Sequence, residues 1–112
     1  MEHDDLDDET REAVSACVGS VDELDVLIYL ARHGGRYCSP PSVAADLGLS
    51  PHRVATALEV LASRNLLDVR ITQVVLYRLD PPSPGHRRDL ERTLTAARRC
   101  RAAVLQLVAL AG

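Results

Sequence analysis

Polar side chains suited to nucleic-acid contact cluster around one predicted helix in the middle of the chain. His52, Arg53 and Thr56 fall in the first turns of a helix predicted over residues 51–65. Arginine matches the O6 and N7 atoms of guanine with two hydrogen bonds, and such a pair contributes about 1–3 kcal/mol to base discrimination. Arg53 is therefore the strongest single candidate, although an ordinary solvated helix residue is the alternative. Glu59 on the same face would repel phosphate unless it pairs with a cytosine amine or an arginine. The candidate DNA contacts are Ser39, Ser42, Ser50, His52, Arg53, Thr56, Ser63, Arg64, Arg70 and Gln73.

The helix that carries these groups begins after a predicted tight turn. Ala44, Gly48 and Val54 have the spacing of a helix-turn-helix. Two helices cross through a turn of about 3–4 residues when the first helix offers a small contact face and the turn contains a residue free to adopt positive φ. Ser50 supplies an N-cap oxygen, and Pro51 fits the first helical position. The sequence therefore predicts a short helix on each side of Gly48.

Hydrophobic periodicity predicts the remaining elements. Ser20 and Glu23 have the spacing of a capping box at the start of a second helix. The predicted fold class is mainly α with a small β-hairpin (α+β). The predicted helices cover residues 4–18, 21–33, 40–47, 51–65 and 86–111, and two strands between residues 67 and 79 turn near Thr72 and Gln73. The predicted organisation is an acidic N-terminal arm at 1–20, a domain at 21–80, a proline-rich connector at 81–85 and a C-terminal helix at 86–112.

The predicted C-terminal helix carries a heptad-like seam of apolar residues interrupted by one arginine. At 1.5 Å per residue the helix would be about 40 Å long, which is more than a domain of this size covers. We therefore expect the seam to pair with a second copy, with Arg101 bound to Asp7 or Glu12 across the dimer. The predicted dimer contacts are Leu90, Leu94, Ala97, Arg101, Val104 and Val108.

Charge is divided unevenly along the 112 residues, whose formal net charge is −3. Residues 1–25 hold ten of the sixteen acids, whereas residues 26–112 hold twelve arginines against six acids. The part that contains the candidate helix is therefore basic, as nucleic-acid binding requires. The arginines of the last helix leave three interpretations open: a phosphate-facing patch, a partner for the acidic N-terminus of a neighbour, or a solvated face. With no membrane span and no secretory signal, we expect a cytoplasmic protein.

Catalysis and cofactor binding find little support in the sequence. There is no Ser-His-Asp order, glycine-rich phosphate loop or H-E-x-x-H motif, and the four histidines are scattered. The three cysteines lack metal-ligand spacing. We therefore expect no enzymatic activity, no metal and no cofactor. Cys100 lies among arginines that favour a thiolate, so a redox role stays open beside the simpler interpretation of reduced, apolar thiols.

A helix, a short extended piece, two further helices and a hairpin make up a winged helix, and residues 21–79 resemble winged helix-turn-helix transcriptional regulators of the MarR, ArsR and PadR groups. The similarity is carried by residues 42–67. The resemblance implies a homodimer that binds double-stranded DNA, with the helix at 51–65 in the major groove and flanking helices at both ends for dimerisation. MarR-like dimers often enclose a small-molecule effector between the dimer helices and the DNA-binding lobe, and here Tyr29, His33 and Tyr37 would border such a pocket.

The predicted hairpin departs from that family. Its turn is short and lacks glycine, and Val74 and Leu76 would form an exposed apolar face if Val75, Tyr77 and Leu79 point inward. Such a face suits protein contact better than phosphate. The alternative function is therefore a protein-interaction module within a larger complex, without DNA binding.

Overall fold

Six helices and one two-stranded antiparallel sheet make up the described part of the chain, residues 6–111 of a computed structural model. The predicted fold class, mainly α with a small sheet, is confirmed at this level. None of the described helices is long and apolar enough to cross a membrane. Residues 4, 5 and 112, which the sequence assigns to terminal helices, lie outside the described range. The elements are α1 Asp8–Cys17, α2 Val21–Arg32, α3 Pro40–Leu47, α4 Pro51–Ser63, β1 Leu67–Ile71, β2 Val75–Leu79, α5 Pro84–Arg99 and α6 Arg101–Ala111.

Side-chain caps set the starts of the helices. The predicted capping box is confirmed: Ser20 Oγ accepts from the Glu23 N–H at 3.1 Å, and Glu23 Oε1 accepts from the Gly19 N–H at 2.8 Å. Ser50 Oγ likewise accepts from the Arg53 N–H at 3.2 Å at the start of α4. Each cap satisfies backbone donors that have no partner inside their own helix.

The core that holds α4 in place lies chiefly between α2 and α4. Leu24, Leu27 and Leu30 of α2 and Leu58 and Leu61 of α4 are all buried. Burial of each such side chain contributes about 1.5–3 kcal/mol relative to an exposed one. Because the apolar stripe of α4 is fixed inward by this packing, the opposite stripe must face out.

The C-terminal region forms two helices, so the prediction of one helix over residues 86–111 is wrong. α5 ends before Cys100, whose backbone leaves the helical region at φ −130° and ψ 49°. A straight helix of this length would extend about 40 Å and leave the core behind. The break lets α6 contact α1 and α2, where Val104 and Val108 are buried.

The apolar seam of this region lies inside a single copy of the chain. Leu90, Ala97, Val104 and Val108 are buried and Leu94 is half-buried, and α1 and α2 supply much of the cover. Arg101 is exposed. The expectation that the seam lies uncovered without a second copy is therefore wrong. The pairing of Arg101 with Asp7 or Glu12 across a dimer stays a prediction. The acid near Arg101 is Asp25 of the same chain, whose pKa is raised by burial and partly lowered again by Arg101.

The hairpin pairs β1 with β2 from Leu67↔Leu79 to Ile71↔Val75. Its turn lies at residues 72–74, as predicted, and the Thr72 N–H donates to the Val74 carbonyl at 3.0 Å. Cys38 adds a short third pairing: its N–H donates to the Tyr77 carbonyl at 2.7 Å, and its carbonyl accepts from the Tyr77 N–H at 2.9 Å.

The sequence placed the faces of the hairpin only partly correctly. Tyr77 is buried and Val74 is exposed, as expected. Leu76 is half-buried rather than exposed, and Val75 is exposed rather than buried. The outer half of the hairpin extends beyond the helices that cover Tyr77, so its apolar side chains remain exposed on both faces.

Candidate functional site

The outward stripe of α4 is polar, as the sequence predicts. His52, Thr56, Glu59 and Ser63 are exposed, whereas Val54 on the opposite side is fully buried. No arginine lies in the centre of this stripe, all of whose residues the structure describes. The stripe therefore offers hydrogen-bonding groups and one negative charge.

The turn between α3 and α4 holds this stripe in position. Gly48 adopts the left-handed conformation, φ 68° and ψ 29°, and its N–H donates to the Ala44 carbonyl. The Leu49 N–H also donates to the Ala44 carbonyl, at 3.1 Å. Ala44 is buried, which allows the close approach of the two helices. The roles that the sequence assigned to Ala44 and Gly48 are confirmed.

Arg53 lies on the flank of α4 and is engaged by an acid of α2. Its Nη2 lies 2.6 Å from Asp22 Oδ1, and its Nε donates to Asp22 Oδ2 at 2.9 Å. This two-pronged ion pair lowers the pKa of Asp22, chiefly through the hydrogen bond from Arg53. The guanidinium most favoured for base contact is thus directed at α2.

Arg64 also turns inward. Its Nη1 donates to the Ser15 carbonyl at 2.9 Å, and its Nη2 lies 3.9 Å from Glu23 Oε1. The side chain thereby joins the end of α4 to α1 and to the capping box of α2. Neither predicted arginine of α4 extends along the outward stripe.

The predicted serine contacts have mixed roles. Ser39 and Ser50 use their hydroxyl oxygens as helix caps, and the Ser63 hydroxyl donates to the Val60 carbonyl at 2.6 Å. Ser42, in the first turn of α3, is exposed. Gln73 at the hairpin turn is exposed as well.

Arg70 belongs to a cluster on the hairpin that local sequence patterns do not indicate. The Tyr37 hydroxyl donates to Asp68 Oδ2 at 2.6 Å, and Arg78 Nε donates to the same oxygen at 3.0 Å. The guanidinium carbons of Arg70 and Arg78 each lie 4.8 Å from the centroid of the Tyr37 ring. The hydrogen bond from Tyr37, with that from Arg78, lowers the pKa of Asp68, and the same bond raises the pKa of Tyr37.

The three residues predicted to border an effector pocket line one cavity. Tyr29, His33 and Tyr37 surround about 590 Å³ together with Arg36, Cys38, Ser39, Ser42, Asp46 and Leu76. The Tyr29 hydroxyl donates to Asp46 at 2.6 Å, and this bond raises the pKa of Tyr29 to about 12. The cavity lies between α2, α3 and β2, and none of the residues that line it belongs to the flanking helices α1, α5 and α6. An effector stays a prediction.

The arginines of α5 line a groove against the start of α1. Arg87, Arg88, Arg92 and Arg99 border a cavity of about 780 Å³ together with acids such as Glu9. Arg92 Nη1 lies 2.6 Å from Glu9 Oε2. At this arginine the acid-paired interpretation holds, with the acid supplied by the same chain.

Neither a thiol cluster nor a metal cage is present among the described residues. No group of three or more His, Cys, Asp or Glu side chains within residues 6–111 is arranged to hold a metal ion. Burial raises the pKa of the Cys17 and Cys38 thiols, so both behave as small apolar side chains. Cys100 is half-buried at the break between α5 and α6, and its redox role stays a prediction.

Comparison with known proteins finds no relative. No protein-family model, curated protein or solved structure matches this chain.

Proposed function

We propose that the chain is a winged helix-turn-helix DNA-binding regulator that acts as a homodimer, with α4 in the major groove. The observation that carries this proposal is the polar outward stripe of α4, held on α3 by the left-handed Gly48. The hairpin that follows α4 and its bridge to Cys38 complete the order of elements that a winged helix requires. The expectation that the chain is not an enzyme stays a prediction.

The side chains of α4 suit base edges better than phosphates. His52, Thr56 and Ser63 offer donors and acceptors, and Glu59 accepts from the N4 amine of cytosine. A helix of 13 residues is about 20 Å long, and its diameter of about 10–12 Å with side chains fits a major groove about 12 Å wide. Glu59 thus becomes a specificity contact and not simply a repulsive charge.

Phosphate contacts are few under this proposal. Arg36 and Arg70 are exposed near the start of α3 and on the hairpin, and Arg53 joins them only when it leaves Asp22. Each protomer then neutralises about two or three phosphates, which gives a slope of log K against log [salt] of about −2 to −3 per protomer.

The test begins with selection of a duplex from a random-sequence pool. Binding of the full chain to that duplex is then measured by fluorescence anisotropy at about 50 and 200 mM salt, because phosphate contacts weaken over this range. We expect Thr56→Asp to abolish binding to the selected duplex, because it places a carboxylate against the groove. Ala102→Asp adds the same charge at an exposed position of α6 and is the matched control, which should bind as wild type. Equal binding by both variants would refute the placement of α4.

The alternative, a protein-interaction module without DNA binding, is favoured by the exposed apolar hairpin. Ile71, Val74 and Val75 are exposed there, where a DNA-binding wing would present basic groups. Failure of the wild-type chain to enrich any duplex, or to bind one at low salt, would favour this alternative over the first.

A further inference from the structure

The hairpin has one strand edge with which no described strand or bridge pairs. β2 lies between the Cys38 bridge on one side and β1 on the other. Among residues 6–111, no strand or bridge pairs with β1 on its second side. An unpaired edge offers a row of backbone donors and acceptors to another strand.

The backbone hydrogen bonds of the hairpin show which residues point to that open edge. The Asp80 N–H donates to the Leu66 carbonyl at 3.0 Å, and the Thr72 N–H donates to the Val74 carbonyl at 3.0 Å. Bonded and non-bonded pairs alternate in an antiparallel ladder, so the even-numbered residues of β1 bond to β2. The backbone groups that face outward are those of the odd-numbered residues, Leu67, Val69 and Ile71.

The side chains along this edge are apolar and exposed toward the hairpin turn. Ile71 retains 79% of its accessible surface and Val69 retains 40%. Leu67, at the end nearest α4, is half-buried. An unpaired strand edge with exposed apolar side chains favours pairing with another strand.

The order of residues in β1 makes the strand complementary to itself. Leu-Asp-Val-Arg-Ile runs apolar, acidic, apolar, basic, apolar from residue 67 to residue 71. In an antiparallel pairing of two copies centred on Val69, Asp68 of each copy lies opposite Arg70 of the other. Leu67 of each copy lies opposite Ile71 of the other.

The charges of Asp68 and Arg70 favour this register over the adjacent registers. A shift of two residues in either direction keeps the backbone bonds but places Asp68 opposite Asp68, or Arg70 opposite Arg70. Opposite charges facing each other across strands stabilise a pair, and like charges destabilise it. Asp68 already accepts from Tyr37 and Arg78 within its own copy, which holds its carboxylate ionised and ready for another donor.

We propose that β1 is a self-association surface: two copies pair antiparallel through Leu67–Ile71 about a twofold axis at Val69, which joins both hairpins into one continuous sheet. The occupant is a second copy of this chain, because its charges complement β1 in one register only. This inference does not depend on DNA binding. It gives the dimer an interface in place of the apolar seam that the structure buries within one copy.

The size of the surface sets the strength of the dimer. Stable protein interfaces bury about 1,200–2,000 Å², and one five-residue strand per copy falls short of that. We therefore expect a reversible dimer whose dissociation constant lies in the micromolar range, visible as a concentration-dependent mass.

Sedimentation velocity of the full chain, without DNA, tests the surface. We expect a monomer–dimer equilibrium for wild type and a rise of at least about tenfold in the dissociation constant for Ile71→Asp, because two cross-strand apolar pairs are lost. Leu110→Asp is the matched control, since Leu110 is exposed to 82% at the far end of α6. A wild-type chain that stays monomeric at millimolar concentration, or a dimer that Leu110→Asp disrupts and Ile71→Asp does not, would overturn the proposal.

Cysteine cross-linking tests the register. In a Cys100→Ser background, the thiols of Val69→Cys would face each other at the twofold axis with Cα atoms about 5.5 Å apart, within disulfide range. Gln73→Cys is the control, because its two thiols would lie eight residues apart along the paired strands, about 27 Å. Rapid oxidation to a linked dimer is expected for Val69→Cys alone. Equal cross-linking of the two variants, or none of Val69→Cys, rules the register out.

Discussion

Replacement of Gly48 by alanine tests whether the left-handed turn positions α4. Gly48 has φ 68°, and a Cβ built there would meet no atom within 4 Å. The cost of Gly48→Ala is therefore conformational and not steric, about 1–2 kcal/mol for a residue with a side chain in this region. Alanine also lowers the conformational entropy of the unfolded chain, which stabilises the folded state by about 0.4–1 kcal/mol. The net loss in the free energy of unfolding is about 1 kcal/mol.

That loss translates into a measurable shift in melting temperature. An unfolding entropy of about 2.1 cal/mol/K per residue over 112 residues makes 1 kcal/mol equivalent to about 4 °C. Thermal unfolding followed by circular dichroism resolves this difference. We expect Gly48→Asn to lower the melting temperature less than Gly48→Ala does, because asparagine tolerates the left-handed region.

Gly85→Ala is the matched control for this measurement. Gly85 lies in the first turn of α5 without positive φ, and its added Cβ would make only ordinary contact, 4.0 Å from Ser83 Oγ. This variant should melt at or above the wild-type temperature, because alanine favours helix. If Gly48→Ala melts with wild type, or if Gly48→Asn is the worse of the two, the proposed origin of the turn is incorrect.

Three further predictions concern the ion pair between Asp22 and Arg53 and the hydroxyl of Tyr29. Asp22→Asn releases Arg53. If the proposed function is correct, fluorescence anisotropy should show a several-fold higher affinity for non-specific duplex and a salt slope steeper by about one unit per protomer. An unchanged slope would show that Arg53 does not reach phosphate. Arg53 holds the folded-state pKa of Asp22 below its usual 3.8, so the stabilisation is present above about pH 4 and is lost as the pH falls through the folded pKa. Between pH 6 and pH 3, urea unfolding should therefore show a larger decrease in the free energy of unfolding for wild type than for Asp22→Asn. Parallel pH dependences of the two free energies would contradict this. With a pKa of about 12, Tyr29 should be the last tyrosine to ionise in an ultraviolet titration, and Tyr29→Phe should remove that last step and leave the earlier ones.

Local patterns in the sequence predicted what short-range physics decides. The caps at Ser20 and Ser50, the turn at Gly48 and the outward stripe of α4 each depend on residues within about one or two helical turns. Such features follow from hydrogen-bond geometry and the helical period. These are the parts of the candidate site that the structure confirms.

Long-range packing decided what the sequence did not predict. Asp22 and Arg53 lie 31 residues apart, and only the packing of α2 against α4 brings them together. The same holds for the hydrogen bond between Tyr37 and Asp68, which also lie 31 residues apart. No glycine or proline lies at the break at Cys100, and the packing of α6 against α1 and α2 involves residues far away in the sequence.

The ion pair between Asp22 and Arg53 has a consequence for selectivity if α4 binds DNA. A phosphate that recruits Arg53 must first displace a carboxylate that already makes two contacts with it, so random sequence gains little from this cation. A cognate site, by contrast, is recognised through the outward stripe of α4, whose side chains require no such exchange. Competition from Asp22 would thus weaken non-specific binding to DNA. The ratio of specific to non-specific affinity would remain high.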